Sequence, residues 1–429
     1  VARCSCEGGI GAHALRYTRT MRTPREAIAD ILGRIRPLAS VESVSLRAAA
    51  GRCLAQDVHA DLDLPPFARS SMDGYALRAD ELAQAGARLR CIGEARAGEP
   101  FSAAVPRACC VAIYTGATLP ADCDSVVQVE RTRRTGASED GAELIEFEGA
   151  VRAGQHVQRR GEILAQGGLA LALPRRLSPA DLALLAACGV DPVSVRPRPR
   201  VAILTTGDEL VPANARPGPG QIREGNTLVL AASAERAGAR VVRVGILRDD
   251  PAELRTAFAA ALAEVDALIT TGGVSMGKYD LVGAALEAVG VQPVLHKVAV
   301  KPGKPIWFGM CGEVPVFGLP GNPVSSQLGF ELFVRPALAR LEGAGEGESS
   351  ERLGLGRWRG PALAPDERQN NLPVRLATAP DGLIDLQPVP YLGSADIRAA
   401  AAAQALAVVP AGRGAQPGEL LEYRPLGSA

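Results

Sequence analysis

The stretch VDALITTGGVSMGKYD, residues 265–280, decides the fold. Its apolar run ends in Thr-Gly-Gly, which reads as a buried strand opening onto a loop rich in exposed backbone. Gly272 and Gly273 carry no side chains and can point successive N–H groups at an anion. Ser275 adds a hydroxyl, Lys278 a point charge and Asp280 a carboxylate. Donors, an ammonium and a carboxylate together suit a phosphorylated ligand with a divalent metal.

Outward from this loop, strands and helices alternate. A strand is expected over 201–205, a helix from Asn226, a strand over 241–246, a helix from Asp250-Pro251, the strand 267–271, and a strand over 314–319. After the last comes Pro320-Gly321-Asn322-Pro323, with Asn322 as N-cap and Pro323 as first helical residue. That order predicts a central doubly wound α/β domain over 196–341, a parallel sheet with helices on both faces. The prolines of RPRPR, residues 196–200, mark the linker into it.

The flanks differ in pattern. Residues 1–20 read as a tail, and Met21 as a candidate start. Thr23-Pro24-Arg25-Glu26 then caps a helix with Ile28, Ile31, Leu32 and Ile35 on one face. Residues 54–153 carry short β-type runs broken by Gly and Pro, a β-rich insertion domain. Residues 154–195 end in a helix starting at Ser178-Pro179, and the chain is expected to return there to its N-terminal helix, so that 21–53 and 154–195 form a discontinuous helical and linker domain. Gly, Glu and Ser at 343–350 read as a linker, and 342–429 as a small C-terminal β domain with β-type runs around Val374, Leu383 and Leu406.

Composition excludes several classes of partner. Lys plus Arg equals Asp plus Glu at 47 each, so no overall field draws the chain to nucleic acid or a membrane surface. No apolar run reaches the length of a bilayer span. The nine cysteines neither pair neatly nor show zinc-ligand spacing, which predicts a reducing, cytoplasmic setting. The four histidines lie far apart, against a histidine metal site or a Ser-His-Asp triad. All four lysines (Lys278, Lys297, Lys301, Lys304) fall within 278–304, in a chain with 43 arginines. A region that keeps the compact ammonium in an Arg-dominated chain is expected to use it.

In an open α/β sheet, ligands bind beyond the carboxyl ends of the strands. The loops there are Thr205-Thr206-Gly207-Asp208-Glu209-Leu210, then Arg248-Asp249-Asp250, then the Gly272-Gly273 loop with Asp280, and, after a strand over 294–300, Lys301-Pro302-Gly303-Lys304-Pro305 preceded by Lys297. Asp250 before Pro251 reads as a helix cap, leaving Asp249 to face the ligand. Carboxylates gathered in one cleft repel unless a cation lies between them, which argues for Mg²⁺. The lysines answer an anion, and the Pro320-Gly321-Asn322 turn is a second anion candidate.

TTGDEL, GQI with GN, RDDP, TTGGVSMG, Lys297 with KPGKP, and GLPGNPVS occur in an order that resembles the molybdopterin molybdotransferases, the MoeA and gephyrin E-domain family. Pro65-Pro66-Phe67, the run 70–76 with Asp73, Thr115-Gly116-Ala117 and Arg159-Arg160-Gly161-Glu162 look like the family's N-terminal motifs. The resemblance implies a cytoplasmic homodimer of four-domain subunits that inserts molybdate into adenylylated molybdopterin, with Mg²⁺-dependent release of AMP and a molybdopterin adenylyltransferase as supplier. It places Asp249, Asp280 and Glu209 near the metal and Lys297 and Lys301 among the catalytic groups. Thr206, Gly207, Gly272, Gly273, Ser275, Lys304, Pro320, Gly321, Asn322 and Ser394 then contact the ligands. Asp73 and Thr115 would reach the α/β cleft of the partner subunit. Two positions depart: Ile163 stands where the family has Asp, and Pro373 where it commonly has Arg, with Arg368 or Arg375 as substitutes. A pterin-binding scaffold with reduced or no catalysis, and a nucleotide adenylyltransferase or pyrophosphatase on the same α/β domain, are the alternatives.

Overall fold

Five consecutive residues, Ala267–Thr271, are buried on both faces, as an apolar run without alternation requires of a central parallel strand. The computed structural model describes residues 21–82, 84, 86–139, 141–273, 281–349 and 352–427. It divides into two compact units, one of residues 41–195 and one of residues 1–40 with 196–429.

In the larger unit a six-stranded sheet is built from β1 (Arg200–Thr206), β2 (Arg240–Leu247), β3 (Ala267–Thr271), β4 (Gln292–His296), β5 (Trp307–Cys311) and β6 (Val314–Leu319). Their spatial order is β2-β1-β3-β6-β5-β4. Strands β2, β1, β3 and β6 are mutually parallel, whereas β5 runs antiparallel to both its neighbours. The sheet is therefore mixed, a correction to the all-parallel expectation. The strand that was missed, β5, is joined to β6 through Gly312, a hairpin too short for a crossover helix.

Alternation along the strands sorts the core into two layers. Val201, Ile203, Ile269, Phe317 and Leu319 face the helix Asn226–Arg236 and the long C-terminal helical stretch that ends at Leu341. Ala202, Leu204, Leu268 and Val316 face the helices Pro251–Leu262 and Leu281–Ala288. The order of strands turns back between β1 and β3, and their carboxyl ends flank that switch point.

The other expected strand, 294–300, breaks at Lys297. That residue has φ +76° and donates its N–H to the carbonyl of Ile306 at 2.9 Å. Beyond the break, Val300–Lys301 leaves the α/β sheet and pairs with Gln369 and Asn370. It thereby joins the C-terminal sheet, whose strands Gly354–Trp358, Gln369–Thr378, Ile384–Pro388, Ala405–Val409 and Leu420–Pro425 close into a ring around Trp358. Within the expected 343–350 linker, Glu346–Ser349 forms a turn of helix.

The N-terminal helix, Pro24–Arg34, starts in the capping box of Thr23 and Glu26 and buries Ala27, Ile31 and Ile35 in the core of this same unit. In the smaller unit, Val193–Val195 pairs with Glu42–Val44, which joins residues 42–44 to the end of the expected 154–195 segment. That unit's main sheet holds Ser125–Gln128, Gly74–Leu77, Cys109–Ile113, Arg88–Ala95, Glu143–Phe147 and Thr132–Ala137, in that spatial order. Its helix Pro179–Ala187 begins in a second capping box, Ser178 with Asp181.

Phe317 is fully buried and packs on Phe308 with ring centroids 5.1 Å apart. Truncating it to Ala removes a core aromatic and leaves a cavity, so Phe317→Ala should cost about 3–5 kcal/mol in chemical denaturation. A loss below about 1 kcal/mol would contradict the packing described.

Candidate active site at the strand ends

The carboxyl ends of β1, β3 and β6 are tied together by their own threonines. Thr205 donates its hydroxyl to the carbonyl of Thr271 at 3.2 Å, and Thr271 donates its own to the carbonyl of Pro320 at 3.0 Å. Asn226, at the start of its helix, donates its side-chain amide to the carbonyl of Gly321 at 2.7 Å. These bonds bring the three loops to close range. A Cβ on Gly272 would lie 2.4 Å from the carbonyl oxygen of Thr206, and the residue sits at φ +91°, so nothing larger than glycine fits there.

The result is a cleft of about 580 Å³. Of the residues singled out in the sequence, Thr206, Gly207, Glu209, Asp249, Gly272, Gly273, Pro320, Gly321 and Asn322 line it. Glu224 and Asn226 line it too and were not singled out as site residues. Glu224 is buried and accepts from the N–H of Thr227 at 2.8 Å and from its hydroxyl, which fixes the helix start beneath the cleft. Its signal lay in its spacing, a carboxylate three residues before a threonine at a helix start. Ser275, Lys278 and Asp280 lie outside the described residues.

Two donor assignments change. Gly272 gives its N–H to the carbonyl of Leu319 at 3.2 Å, so it serves the strand end and not a ligand. Asn322 stands at the helix start but does not cap it with its side chain. Its amide reaches the hydroxyl of Ser394 at 2.8 Å, while the N–H of Val324 goes to the Ser394 carbonyl. The C-terminal domain thus takes up the donors that the isolated motif would offer to an anion.

Asp250 caps its helix, accepting from Ala252 and Glu253 at 3.0 and 2.7 Å. Asp249 faces the cleft from its rim, with its N–H donated to Asp208 at 3.2 Å. Loss of water around it, then the charges of Asp208 and Glu209, hold its carboxyl above the usual carboxylate range. Among the described residues no three acidic, His or Cys side chains come close enough to hold a metal ion. One or two carboxylates nevertheless suit Mg²⁺, which takes its remaining ligands from water and substrate phosphates. The buried hydroxyl of Thr206, with no partner among the described residues, faces the Gly272-Gly273 turn.

The lysines gather elsewhere. A second cavity of about 590 Å³ shares Pro305, Pro320 and Asn322 with the cleft. Lys301, Lys304, Arg368, Ser325, Asn370, Tyr391 and Ser394 line it. Lys297 lines neither cavity, because its left-handed backbone is used in the break after β4. Of the two candidate substitutes for arginine, Arg368 lines this cavity, while Arg375 is exposed and donates to the carbonyl of Ala402. Pro373 itself is buried in its strand opposite Leu406. Tyr391, which sequence reading missed, has its phenol pushed up by burial and by Asp396.

In the smaller unit, Asp73 and Thr115 come together across 42 positions of sequence. One oxygen of Asp73 accepts the N–H of Thr115 at 2.7 Å and its hydroxyl at 2.8 Å, and these bonds hold the carboxyl below its usual range. Both residues are exposed.

A sheet with its binding cleft at the switch point, a carboxylate rim and an adjoining cationic cavity defines a molybdopterin-binding type of α/β protein, and a family model described as a probable molybdopterin binding domain matches residues 202–340. The MoeA N-terminal region (domain I and II) matches residues 22–189, and the MoeA C-terminal region (domain IV) residues 361–426. The chain is 38% identical to the molybdopterin molybdenumtransferase of Haemophilus influenzae over 70% of its own length and 73% of that protein. It is 39% identical to that of Synechococcus elongatus over 70% and 75%. A crystal structure of the molybdopterin biosynthesis MoeA protein of Pyrococcus horikoshii superposes with a TM-score of 0.81 at 27% identity, covering 95% of this chain and all of the other. The chain belongs to the molybdopterin molybdenumtransferase family of enzymes.

The crowding at Asp249 has a sign. Its folded carboxyl binds a proton more tightly than the unfolded one, so its contribution to stability falls as pH rises from the ordinary carboxylate range through the raised value, and the full cost is felt above that value. Asp249→Asn should therefore melt higher than the parent at pH 7, by about 2 °C since the group is partly solvated, with the gap closing in acid. Mg²⁺ should raise the melting temperature of the parent but not of the variant. A lower melting point for the variant at pH 7 would contradict this electrostatic account.

Proposed function

We infer that this chain inserts molybdate into adenylylated molybdopterin, with Mg²⁺-dependent release of AMP. The observation that carries this reading is the pair of adjoining cavities at the strand ends, one rimmed by carboxylates and floored by glycine turns, the other lined by three cations and three hydroxyls. Glycines at 207, 272, 273 and 321 let a bulky adenylylated pterin approach the backbone. The cationic cavity suits a tetrahedral dianion, with Lys301, Lys304 and Arg368 opposing its charge and Ser325, Tyr391 and Ser394 offering hydroxyls.

Asp249 and Glu209 would hold Mg²⁺, joined by Asp280 on the loop after β3. When bound, Mg²⁺ neutralises the charge that builds on the phosphates as the bond to AMP breaks. The residues themselves orient the two substrates. The Thr271 and Asn226 bonds hold the cleft open, and the contact between Asn322 and Ser394 fixes the wall common to both cavities. Removing Lys301, a charged contact to the oxyanion, should weaken ligand binding by at least about tenfold. Removing Asp280 should chiefly slow AMP release. AMP formation from adenylylated molybdopterin, followed with Lys301→Ala and Asp280→Ala, checks both, and parent-like turnover in both variants would place the site elsewhere.

The same reading makes the enzyme a cytoplasmic homodimer of four-domain subunits, supplied by a molybdopterin adenylyltransferase, with Asp73 and Thr115 completing the cleft of the partner subunit. Val242, Val244 and Ile246 support a second copy, since they point outward and exposed from β2, the edge strand of the sheet. No helix among the described residues is long and apolar enough to cross a membrane. Light scattering should give a dimer. Mixed Asp73→Ala and Lys301→Ala protomers should recover part of the activity that each lacks alone, and a fully active monomer would exclude the shared site.

A further inference from the structure

The cationic cavity contains a feature that its proposed ligand does not explain. No acidic residue lines it, yet Lys301 is already paired: its Nζ lies 2.8 Å from Oδ2 of Asp366, on the loop before Gln369–Thr378. Asp366 reaches Arg368 as well. Its Oδ1 accepts the Arg368 N–H at 3.0 Å and lies 3.8 Å from the guanidinium Nε. Two of the three cations of the cavity therefore share one carboxylate, while Lys304 makes no ion pair among the described residues.

The two partners differ in how firmly they are held. Asp366 is fixed at its backbone, where its carbonyl accepts from Gly412 at 2.7 Å, and at its side chain by the Arg368 N–H. Its side chain is 22% exposed, against 49% for that of Lys301, which ends a flexible four-carbon stem. The lysine is the member of the pair that can move. Three cations against one carboxylate leave a net charge of two, matched to a dianion.

We propose that Asp366 is the internal counter-anion of this cavity, a positioning residue that holds Lys301 and Arg368 at the wall and that an incoming tetrahedral oxyanion must displace from Lys301. The inference rests on reading the cavity as the oxyanion site. Its consequence is selectivity by charge. A dianion repays the exchange of partners, whereas a monoanion meets a lysine that is already neutralised. A carboxylate with only a structural role would weaken oxyanion binding when removed, but a competing one strengthens it.

Calorimetric titration of the full chain with molybdate, at low and moderate salt, separates these cases. Asp366→Asn should bind molybdate about tenfold more tightly than the parent at low salt, the scale expected of one partly screened charge a few ångströms away, and with steeper salt dependence. Asp366→Glu should bind as the parent does. Unchanged or weaker binding by Asp366→Asn, at a parent-like melting temperature, overturns the proposal. If that variant does not fold, Lys301→Gln and Lys304→Gln decide it. Loss of Lys301 leaves Asp366 opposed by Arg368 alone beside the cavity and should weaken binding about tenfold more than loss of Lys304, and equal losses overturn the proposal. A parent that binds no molybdate overturns the oxyanion reading along with the counter-anion. A parent that binds, with Asp366→Asn unaltered, overturns the counter-anion alone.

Discussion

The hydroxyl of Thr271, given to the carbonyl of Pro320 at 3.0 Å, sets the distance on which the cleft depends. β3 and β6 are adjacent parallel strands, and each ends in a turn without bulky side chains. Joined at that point, the Gly272 and Pro320-Gly321 turns are close enough that a Cβ on Gly321 would rest 3.5 Å from the Cα of Gly272. The Asn226 amide braces the same turn from the helix side. Both ties use side chains to satisfy carbonyls at the strand ends, which would otherwise lie unpaired at the rim of a buried sheet. Gly272 is required by this close packing, since a Cβ there would lie 2.4 Å from the Thr206 carbonyl, whereas one on Gly321 would sit at ordinary contact distance.

Charge is distributed around this frame by sign. The acidic groups Asp208, Glu209 and Asp249 follow β1 and β2, while Lys301, Lys304 and Arg368 lie beyond the break after β4 and on the C-terminal domain. Had both sets faced one cavity, they would have paired with one another and offered little to a ligand. With the two sets kept apart, Asp249 gains affinity for protons, first through loss of water and then through the charges of Asp208 and Glu209, and the cations stay available except where Asp366 reaches in. Asn322 stands at the boundary, and its bond to Ser394 makes the C-terminal domain a structural wall of the site.

Much of this was legible in the sequence, for reasons that differ by element. The Asp250 cap, the Thr23-Glu26 helix start and the helix starts at Ser178-Pro179 and Asn322-Pro323 are local signals, each requiring only a few neighbouring residues, and all stand where they were read, although Asn322 does not cap with its side chain. What failed was non-local. β5 was missed because the run Trp307–Cys311 carries no local sign of the two antiparallel partners, β4 and β6, that make it a strand. The break at Lys297 depends on a bond to Ile306 and on the pairing of Val300–Lys301 with another domain. Spacing and the resemblance both group Lys297 with Lys301, and neither reports the backbone break between them. The Gly272 and Asn322 donors were counted as available because their acceptors, Leu319 and Ser394, lie 47 and 72 positions away. Asp366 and Tyr391 gave no signal at all, since neither sits in a motif and each acquires meaning only from what it faces.

Ile163 shows the same limit from the other side. The resemblance puts a carboxylate at this position, and Glu162, one residue away, was a natural substitute. Its Oε2 instead accepts the N–H of Arg159 at 2.8 Å, which closes the turn on itself. The other acid beside this loop, Asp63, is engaged by Arg160 at 2.6 Å and by the N–H of Gln166 at 2.8 Å. Asp63 is thus neutralised by Arg160, whereas Glu162 spends one of its two oxygens on closing the turn and keeps its charge. Ile163 itself stands 59% exposed, with its backbone N–H given to Leu64. A single apolar side chain at that exposure is ordinary on a protein surface and needs no covering partner, and the turn closes through Glu162 without help from position 163.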